Sequence, residues 1–172
     1  FVGGVGWEKG TGQVWYTNTF GANGLKLART GRSVAEVITA AVKVAKEAVG
    51  GRALVALDIG PLGELLEPMG TLSFEQAYEL FREMAIAGEK AGADLVAIET
   101  MTDLYETKAA LLAVKENTAL PALVTMSFEE RGRTFTGCTV SAMARTLEGL
   151  GADAIGLNCS LGPDMLAPML KE

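Results

Sequence analysis

The sequence contains no histidine among its 172 residues. This absence excludes Ser-His-Asp triads, cysteine nucleophiles paired with histidine, HExxH zinc sites and haem groups held by histidine. A general acid or base in this chain must therefore be a carboxylate, a lysine, a tyrosine or a cysteine. A zinc site would have to be built mainly from sulfur and oxygen ligands.

Cysteine and clustered positive charge are also scarce. Cys138 and Cys159 form neither a CxxC pair nor a dense framework, so a secreted disulfide scaffold is not expected. The net charge is −6 and the lysines and arginines are scattered, which argues against a nucleic-acid partner. No apolar run approaches the roughly 18 residues of a membrane span, and no basic segment followed by an apolar one opens the sequence. We therefore expect a cytoplasmic protein with no nucleic-acid or membrane partner.

The sequence is an alternation of short apolar runs and helical patterns that begins after an irregular N-terminal segment, residues 1–13, rich in glycine. The apolar runs are 14–20, 53–59, 95–101, 122–128 and 154–160. The helical patterns are 33–49, 73–91, 104–116, 141–150 and 163–171. The first two helices open with the capping-box pairs Ser33/Glu36 and Ser73/Gln76. In the third, Glu106 is expected on the polar face.

Continuous apolar runs are typical of a parallel sheet that is covered on both faces. Two of the units share an entry motif, Gly-Ala-Asp, at 92–94 and at 151–153. This repetition favours an α/β fold of the (β/α)₈ TIM-barrel type over a doubly wound sheet. A complete barrel needs about 250 residues, so we expect residues 14–172 to form an incomplete barrel with about five of the eight βα units.

In such a barrel the chemistry lies at the carboxyl ends of the strands. The polar candidates at these ends are Asn18, Thr19, Phe20, Asp58, Glu99, Asn158 and Cys159. Each also has a structural interpretation: Asp58 can cap a turn, Asn18 can serve loop hydrogen bonds, and Cys159 can be a small buried hydrophobe. Glu99 stands inside an apolar run, where an unpaired carboxylate is costly and needs a partner or a function. Cys138 is interpreted as structural.

Two barrel chemistries follow from these residues alone. Asp58 and Glu99 could be the carboxylate pair of a glycoside hydrolase, although the strand ends contain few of the tryptophan and tyrosine residues that stack on sugars. A Schiff-base aldolase is disfavoured because no lysine falls at a strand end.

Four motifs resemble those of the homocysteine S-methyltransferase family. They are TNTFGANGLKL at 17–27, DIGPLGELLEP at 58–68, GADLVAIETMTDLYETKAAL at 92–111 and GADAIGLNCSLGP at 151–163. Within that family, the amino-acid sequences of these motifs are most similar to those of the homocysteine-binding modules of cobalamin-dependent methionine synthases. The resemblance implies a methyltransferase in which a zinc-activated homocysteine thiolate accepts a methyl group to give methionine.

The resemblance also implies roles for particular residues. Cys159 corresponds to one of three cysteine ligands of zinc, and the other two lie in a Gly-Gly-Cys-Cys pair that this sequence lacks. Glu99 is implied to face the homocysteine ammonium, with Asp58, Asn18, Thr19 and Phe20 around the substrate and Asn158 supporting Cys159. Zinc would deprotonate the bound thiol, which makes it a nucleophile.

The methyl donor is left open by the sequence, because relatives use methylcobalamin, betaine or S-methylmethionine. Methylcobalamin is the donor that the resemblance favours, bound with folate on other modules of a longer chain. The fragment by itself is expected to be inactive, and a non-catalytic barrel fragment remains the alternative.

Overall fold

The computed structural model describes residues 4–5 and 13–171. The strands are β1 (Gly4–Val5), β2 (Gln13–Tyr16), β3 (Ala53–Ile59), β4 (Leu95–Met101), β5 (Ala122–Met126) and β6 (Ala154–Leu157). The helices are α1 (Gly24–Leu27), α2 (Val34–Val49), α3 (Phe74–Ala91), α4 (Leu104–Asn117), α5 (Val140–Gly149) and α6 (Pro163–Met169). Among these described residues, no helix is both long and apolar enough to cross a membrane.

The six strands form one sheet in the order in which they follow one another in the chain. The five strands β2 to β6 are parallel, as predicted, and helices connect them. A doubly wound sheet would reverse its strand order at a switch point, whereas a barrel adds each strand beside the last one. The observed order is therefore that of consecutive units of a (β/α)₈ barrel.

The irregular interpretation of residues 1–13 is wrong where the structure describes that segment. Gly4 and Val5 pair antiparallel with Trp15 and Val14, and Gln13 already belongs to β2. A strand of two residues is too short to show the alternating pattern of a β-strand, so the sequence could not predict this antiparallel pairing. Residues 1–3 and 6–12 lie outside the described part of the chain.

Helix starts follow the predicted capping boxes. The hydroxyl oxygens of Ser33 and Ser73 accept the N–H groups of Glu36 and Gln76, and both reciprocal side-chain bonds are present. Gly92 ends α3 in the left-handed conformation, with a φ of 93°. Such caps satisfy the backbone groups that a helix terminus leaves without a partner.

Three strands end earlier than predicted. The apolar runs at 14–20, 122–128 and 154–160 leave the sheet after Tyr16, Met126 and Leu157. The residues beyond these points are largely polar, and they form the loops at the carboxyl edge of the sheet. We call this edge the mouth.

Alternate residues of each strand point to opposite faces. Val55, Leu57 and Ile59 of β3 are fully buried in the core between sheet and helices, together with Phe81 and Met84 of α3. Burial of side chains of this size stabilises the fold by about 1.5–3 kcal/mol each. The intervening residues, among them Asp58, line the other face of the sheet.

Candidate active site

The mouth brings together polar side chains from four of the parallel strands. Asp58 lies near the end of β3, Glu99 near the end of β4, and Asn158 and Cys159 directly after β6. Tyr16, the last residue of β2, also lies at the mouth. Burial, and then the nearby charges of Glu99 and Asp58, raise its pKa. Asp58, Glu99, Asn158 and Cys159 therefore lie at the same edge of the sheet.

Asp58 is held tightly by the end of β2. The Asp58 N–H donates to the hydroxyl oxygen of Thr17 at 3.1 Å, and the Thr19 hydroxyl donates to the Asp58 carbonyl at 2.7 Å. The side chain is 7% exposed, and its Oδ1 has no hydrogen-bond partner among the described residues. Burial first, and then the charge of Glu99, raise the pKa of Asp58 to about 8.

Glu99 and Cys159 are linked through the side-chain amide of Asn158. Its Nδ2 donates to Glu99 Oε2 at 3.1 Å and to Thr100 Oγ1 at 2.8 Å, and lies 3.5 Å from Cys159 Sγ. Thr100 Oγ1 is itself 3.7 Å from the same sulfur. Asn158 Oδ1 is buried with no partner among the described residues. A buried acceptor without a partner is rare in folded proteins and marks a place where a ligand donor can bind.

The backbone around the thiol is in a sparsely populated conformation. Thr100, Cys159 and Ser160 have φ values of 59°, 57° and 59°, in the left-handed region. The register of β4 against β5 also shifts between Ile98 and Met101. Strained residues of this kind cluster at functional sites, because the surrounding structure must hold them in place. The strain thus coincides with the exposed Cys159 thiol.

Phe20 forms one wall of the mouth. Its ring lies against Gly60, where an added Cβ would be 2.4 Å from the nearest ring atom. The Gly60 N–H donates to the Phe20 carbonyl at 3.1 Å, and the Lys26 ammonium lies 5.9 Å from the ring centre. Only glycine allows the backbone to approach the ring this closely.

A groove of about 880 Å³ on the outer wall between α2 and α3 shares no residue with the mouth.

The remaining candidate residues have different surroundings from one another. Thr19 is 1% exposed, and its hydroxyl contacts Thr17 and Asp58, so it holds two strands together. Asn18 is exposed in the loop after β2. Cys138 is partly buried before α5, and its Sγ donates to the Thr139 carbonyl at 3.2 Å.

Glu106 was expected on the polar face of its helix, and this expectation is wrong. Its side chain is 4% exposed and accepts the Leu62 N–H at 2.7 Å. Helical periodicity could not reveal this, because the segment after β3 folds over the first turn of α4. The one sequence signal was its place three residues after Asp103, which caps the helix.

The glycoside hydrolase alternative does not fit the mouth. Catalytic carboxyl groups of glycosidases are separated by about 5–9.5 Å, which leaves room for the sugar and for water. The charge of Glu99 instead acts on Asp58 strongly enough to raise its pKa, so the two carboxyl groups are close neighbours. A close pair of acids suits the binding of a cationic group better than general acid–base attack on a sugar.

The side chains at the mouth include only part of the ligand set that a zinc ion needs. Cys159 is the thiol at the mouth, and no group of three His, Cys, Asp or Glu side chains within residues 4–5 and 13–171 is arranged to hold a metal. Catalytic zinc requires three protein ligands. The described residues therefore do not complete a zinc site, and Cys159 can supply one ligand of such a site.

Comparisons with known proteins agree on the family. A model of the family described as homocysteine S-methyltransferase matches residues 10–172. Methionine synthase of Mycobacterium tuberculosis (strain ATCC 25618 / H37Rv) is 28% identical over 169 residues, which cover 91% of this chain and 14% of the relative. Methionine synthase of Mycobacterium leprae (strain TN) is 31% identical over 119 residues, or 66% of this chain and 10% of the relative.

Solved structures support the fold. The homocysteine methyltransferase MmuM from Escherichia coli matches in its metallated form with a TM-score of 0.78 at 22% identity, over 91% of this chain and 60% of that one. Its apo form matches with a TM-score of 0.71 at 23% identity and 59% coverage. The chain thus spans about three fifths of this barrel, which confirms the incomplete (β/α)₈ prediction. On its motifs, its strand order and these matches, the chain belongs to the homocysteine S-methyltransferase family.

Proposed function

We propose that this chain is the homocysteine-binding part of a methyltransferase that transfers a methyl group to the homocysteine sulfur and yields methionine. The observation that carries the proposal is the mouth itself. There, Asn158 links the Glu99 carboxylate to the Cys159 thiol, and Asp58 Oδ1 and Asn158 Oδ1 are buried without partners among the described residues. This arrangement offers acceptors for an ammonium group close to a thiol.

Recognition of the amino acid follows from these acceptors. The homocysteine ammonium would bind at Asp58 and Glu99, because two neighbouring carboxyl groups bind one positive charge well. The ring of Phe20 would cover the aliphatic part of the substrate. Asn18 is exposed beside this wall and would contact the substrate from the loop after β2. Thr19 would act by keeping Asp58 in position.

Zinc is the metal that we propose for the thiol end. Cys159 would be one ligand, and the further sulfur ligands would come from other segments of a longer protein. Bound zinc supplies a deprotonated substrate thiolate at neutral pH. Within this chain, Asn158 and Thr100 would orient the Cys159 sulfur through the contacts at 3.5 and 3.7 Å.

Methylcobalamin, bound with folate on other modules of a longer protein, is the donor that we propose. The support is the similarity to methionine synthases, of which the chain spans 14% in the M. tuberculosis protein. Betaine and S-methylmethionine are the competing donors. Homocysteine-dependent methyl transfer from each of the three, measured separately, would decide between them.

The test of the homocysteine site is Glu99→Gln in the completed barrel, with calorimetric titration of homocysteine into the zinc-loaded protein. A charge-assisted hydrogen bond to an ammonium contributes about 1.5–3 kcal/mol, so affinity should fall roughly 10- to 150-fold. Glu47→Gln, at an exposed glutamate near the C-terminal end of α2, is the matched control and should leave affinity unchanged. Equal affinity in both variants would overturn the assignment of Glu99. Homocysteine binding without any methyl transfer would favour the non-catalytic alternative.

A further inference from the structure

Glu106 is a buried carboxylate that the homocysteine proposal does not use. It stands in the first turn of α4, is 4% exposed, and accepts the Leu62 N–H at 2.7 Å. A carboxylate removed from water is costly unless its bonds repay the loss of hydration. The position of Leu62, four residues after Asp58, suggests what this bond achieves.

The segment 60–63 follows β3 at the mouth and is held by three hydrogen bonds. The Gly60 N–H donates to the Phe20 carbonyl at 3.1 Å. The Lys26 ammonium donates to the Pro61 carbonyl at 2.8 Å. Glu106 provides the third contact, and it is the one that binds a fully buried residue, since Leu62 is 1% exposed.

We propose that Glu106 is a positioning residue that fixes the segment 60–63 and, through it, holds Asp58 and the Phe20 wall in the geometry that takes up an amino acid. The identity of that amino acid rests on the proposed function. Glu106 acts through Leu62 and not by contact with substrate. The role requires a hydrogen-bond acceptor at this position, but not a negative charge.

The charges around Glu106 support this separation of acceptor from charge. The pKa of Glu106 is raised to about 7, mainly by burial. Among the smaller influences, the Leu62 N–H lowers the pKa, the charge of Asp103 at the start of α4 raises it, and Lys26 on α1 lowers it. Opening of the segment would return the carboxylate to water, where its pKa lies near 4.5. The closed segment is therefore most stable at acidic pH, and it weakens as the pH rises toward 7.

The experiment is amide hydrogen exchange of Gly60 and Leu62, combined with calorimetric titration of homocysteine, in three variants. Glu106→Leu introduces an apolar side chain and removes the acceptor. Glu106→Gln keeps an acceptor without the charge, and Glu75→Leu changes an exposed glutamate in the first turn of α3. In Glu106→Leu, exchange at Leu62 should accelerate and homocysteine affinity should fall, each roughly 5- to 150-fold. The amide of Leu57, inside β3, should stay protected.

Glu106→Gln should restore both properties, and Glu75→Leu should change neither. Unchanged Leu62 exchange in Glu106→Leu would overturn the proposal, as would faster exchange with unaltered homocysteine affinity. If the wild-type protein does not bind homocysteine at all, the proposed function fails, whereas selective loss of Gly60 and Leu62 protection still supports the positioning role.

A pH series keeps the proposal testable if Glu106→Leu does not fold. After correction for intrinsic exchange rates, Leu62 protection in the wild type should fall between pH 4.5 and about 7, the interval between the two pKa values of Glu106. In Glu106→Gln the fall across the same interval should be clearly smaller, because only the titration of Asp58 then remains. Parallel profiles in the two proteins would overturn the proposal.

Discussion

The carboxyl group of Asp58, on β3, lies close enough to that of Glu99, on the neighbouring strand β4, for the charge of Glu99 to raise its pKa. Burial is the larger of the causes that raise the pKa of Asp58 to about 8, and the charge of Glu99 adds to it. At neutral pH the pair therefore retains a proton that an unfolded chain would have released. A cationic ligand group can replace that proton.

The first prediction concerns stability and pH. Because the folded pKa of Asp58 exceeds its unfolded value of 3.8, its contribution is full below pH 3.8 and is lost as the pH rises toward about 8. Asp58→Asn should remove this loss and raise the free energy of unfolding at pH 8 by about 1–3 kcal/mol. Urea denaturation at pH 5 and pH 8 measures it. An equal effect of the substitution at both pH values would contradict the assignment.

The second prediction compares two glycines that make close contacts. An added Cβ at Gly88 would lie 2.4 Å from Leu57 in the core, and one at Gly60 would lie 2.4 Å from the Phe20 ring, which is 37% exposed. Gly88→Ala should therefore cost about 1–3 kcal/mol of stability through overpacking. Gly60→Ala should displace the movable ring and weaken homocysteine binding, with a smaller shift in melting temperature. The reverse order of the two melting temperatures would show that Phe20 cannot move.

Much of the fold could be predicted from local signals. The Ser33/Glu36 and Ser73/Gln76 pairs gave two helix starts, because a capping box is encoded within four residues. Continuous apolar runs gave all five parallel strands. The antiparallel β1 and the short α1 were missed, since neither has enough residues to display a period.

The site could be predicted as a set of residues but not as a geometry. Asp58, Glu99 and Asn158 were recognisable as polar residues at strand ends. The left-handed backbone of Thr100 and the burial of Glu106 were not, because both depend on packing against segments distant in the sequence. Local patterns carry no record of such contacts.

The third prediction concerns the repeated Gly-Ala-Asp motif. Asp94 accepts the Val55 N–H at 2.6 Å and pairs with Lys46 at 2.7 Å, and Asp153 accepts the Ala122 N–H at 2.8 Å and pairs with Lys115 at 3.0 Å. Each aspartate thus joins its own strand to the preceding strand and to a helix. The Asp94 side chain is 29% exposed and that of Asp153 is 49% exposed, so solvent screens the second pair more.

Asp94→Asn should therefore cost about 1–2 kcal/mol of stability and Asp153→Asn less than about 1 kcal/mol. The Ala122 N–H, and then Lys115, lower the pKa of Asp153 below 3.8. Its contribution is present above pH 3.8 and is lost as the pH falls below that value. Chemical denaturation at pH 7 and at pH 3 tests both points. A larger loss for Asp153→Asn than for Asp94→Asn would contradict the screening argument.

The last prediction concerns the metal and separates the two cysteines. The mouth offers one thiol, Cys159, which is exposed, whereas the partly buried Cys138 donates to the Thr139 carbonyl and has a pKa raised by burial. A complete structural zinc site is worth about 10–16 kcal/mol, and one thiolate supplies a small part of it. The 172-residue chain alone should therefore lose zinc on dialysis. Titration with Co²⁺ should still produce a weak thiolate-to-metal absorption band that Cys159→Ser abolishes and Cys138→Ser retains. Stoichiometric zinc after dialysis would contradict the proposal that this chain holds only part of the metal site. A band that follows Cys138 would remove Cys159 from the proposed site.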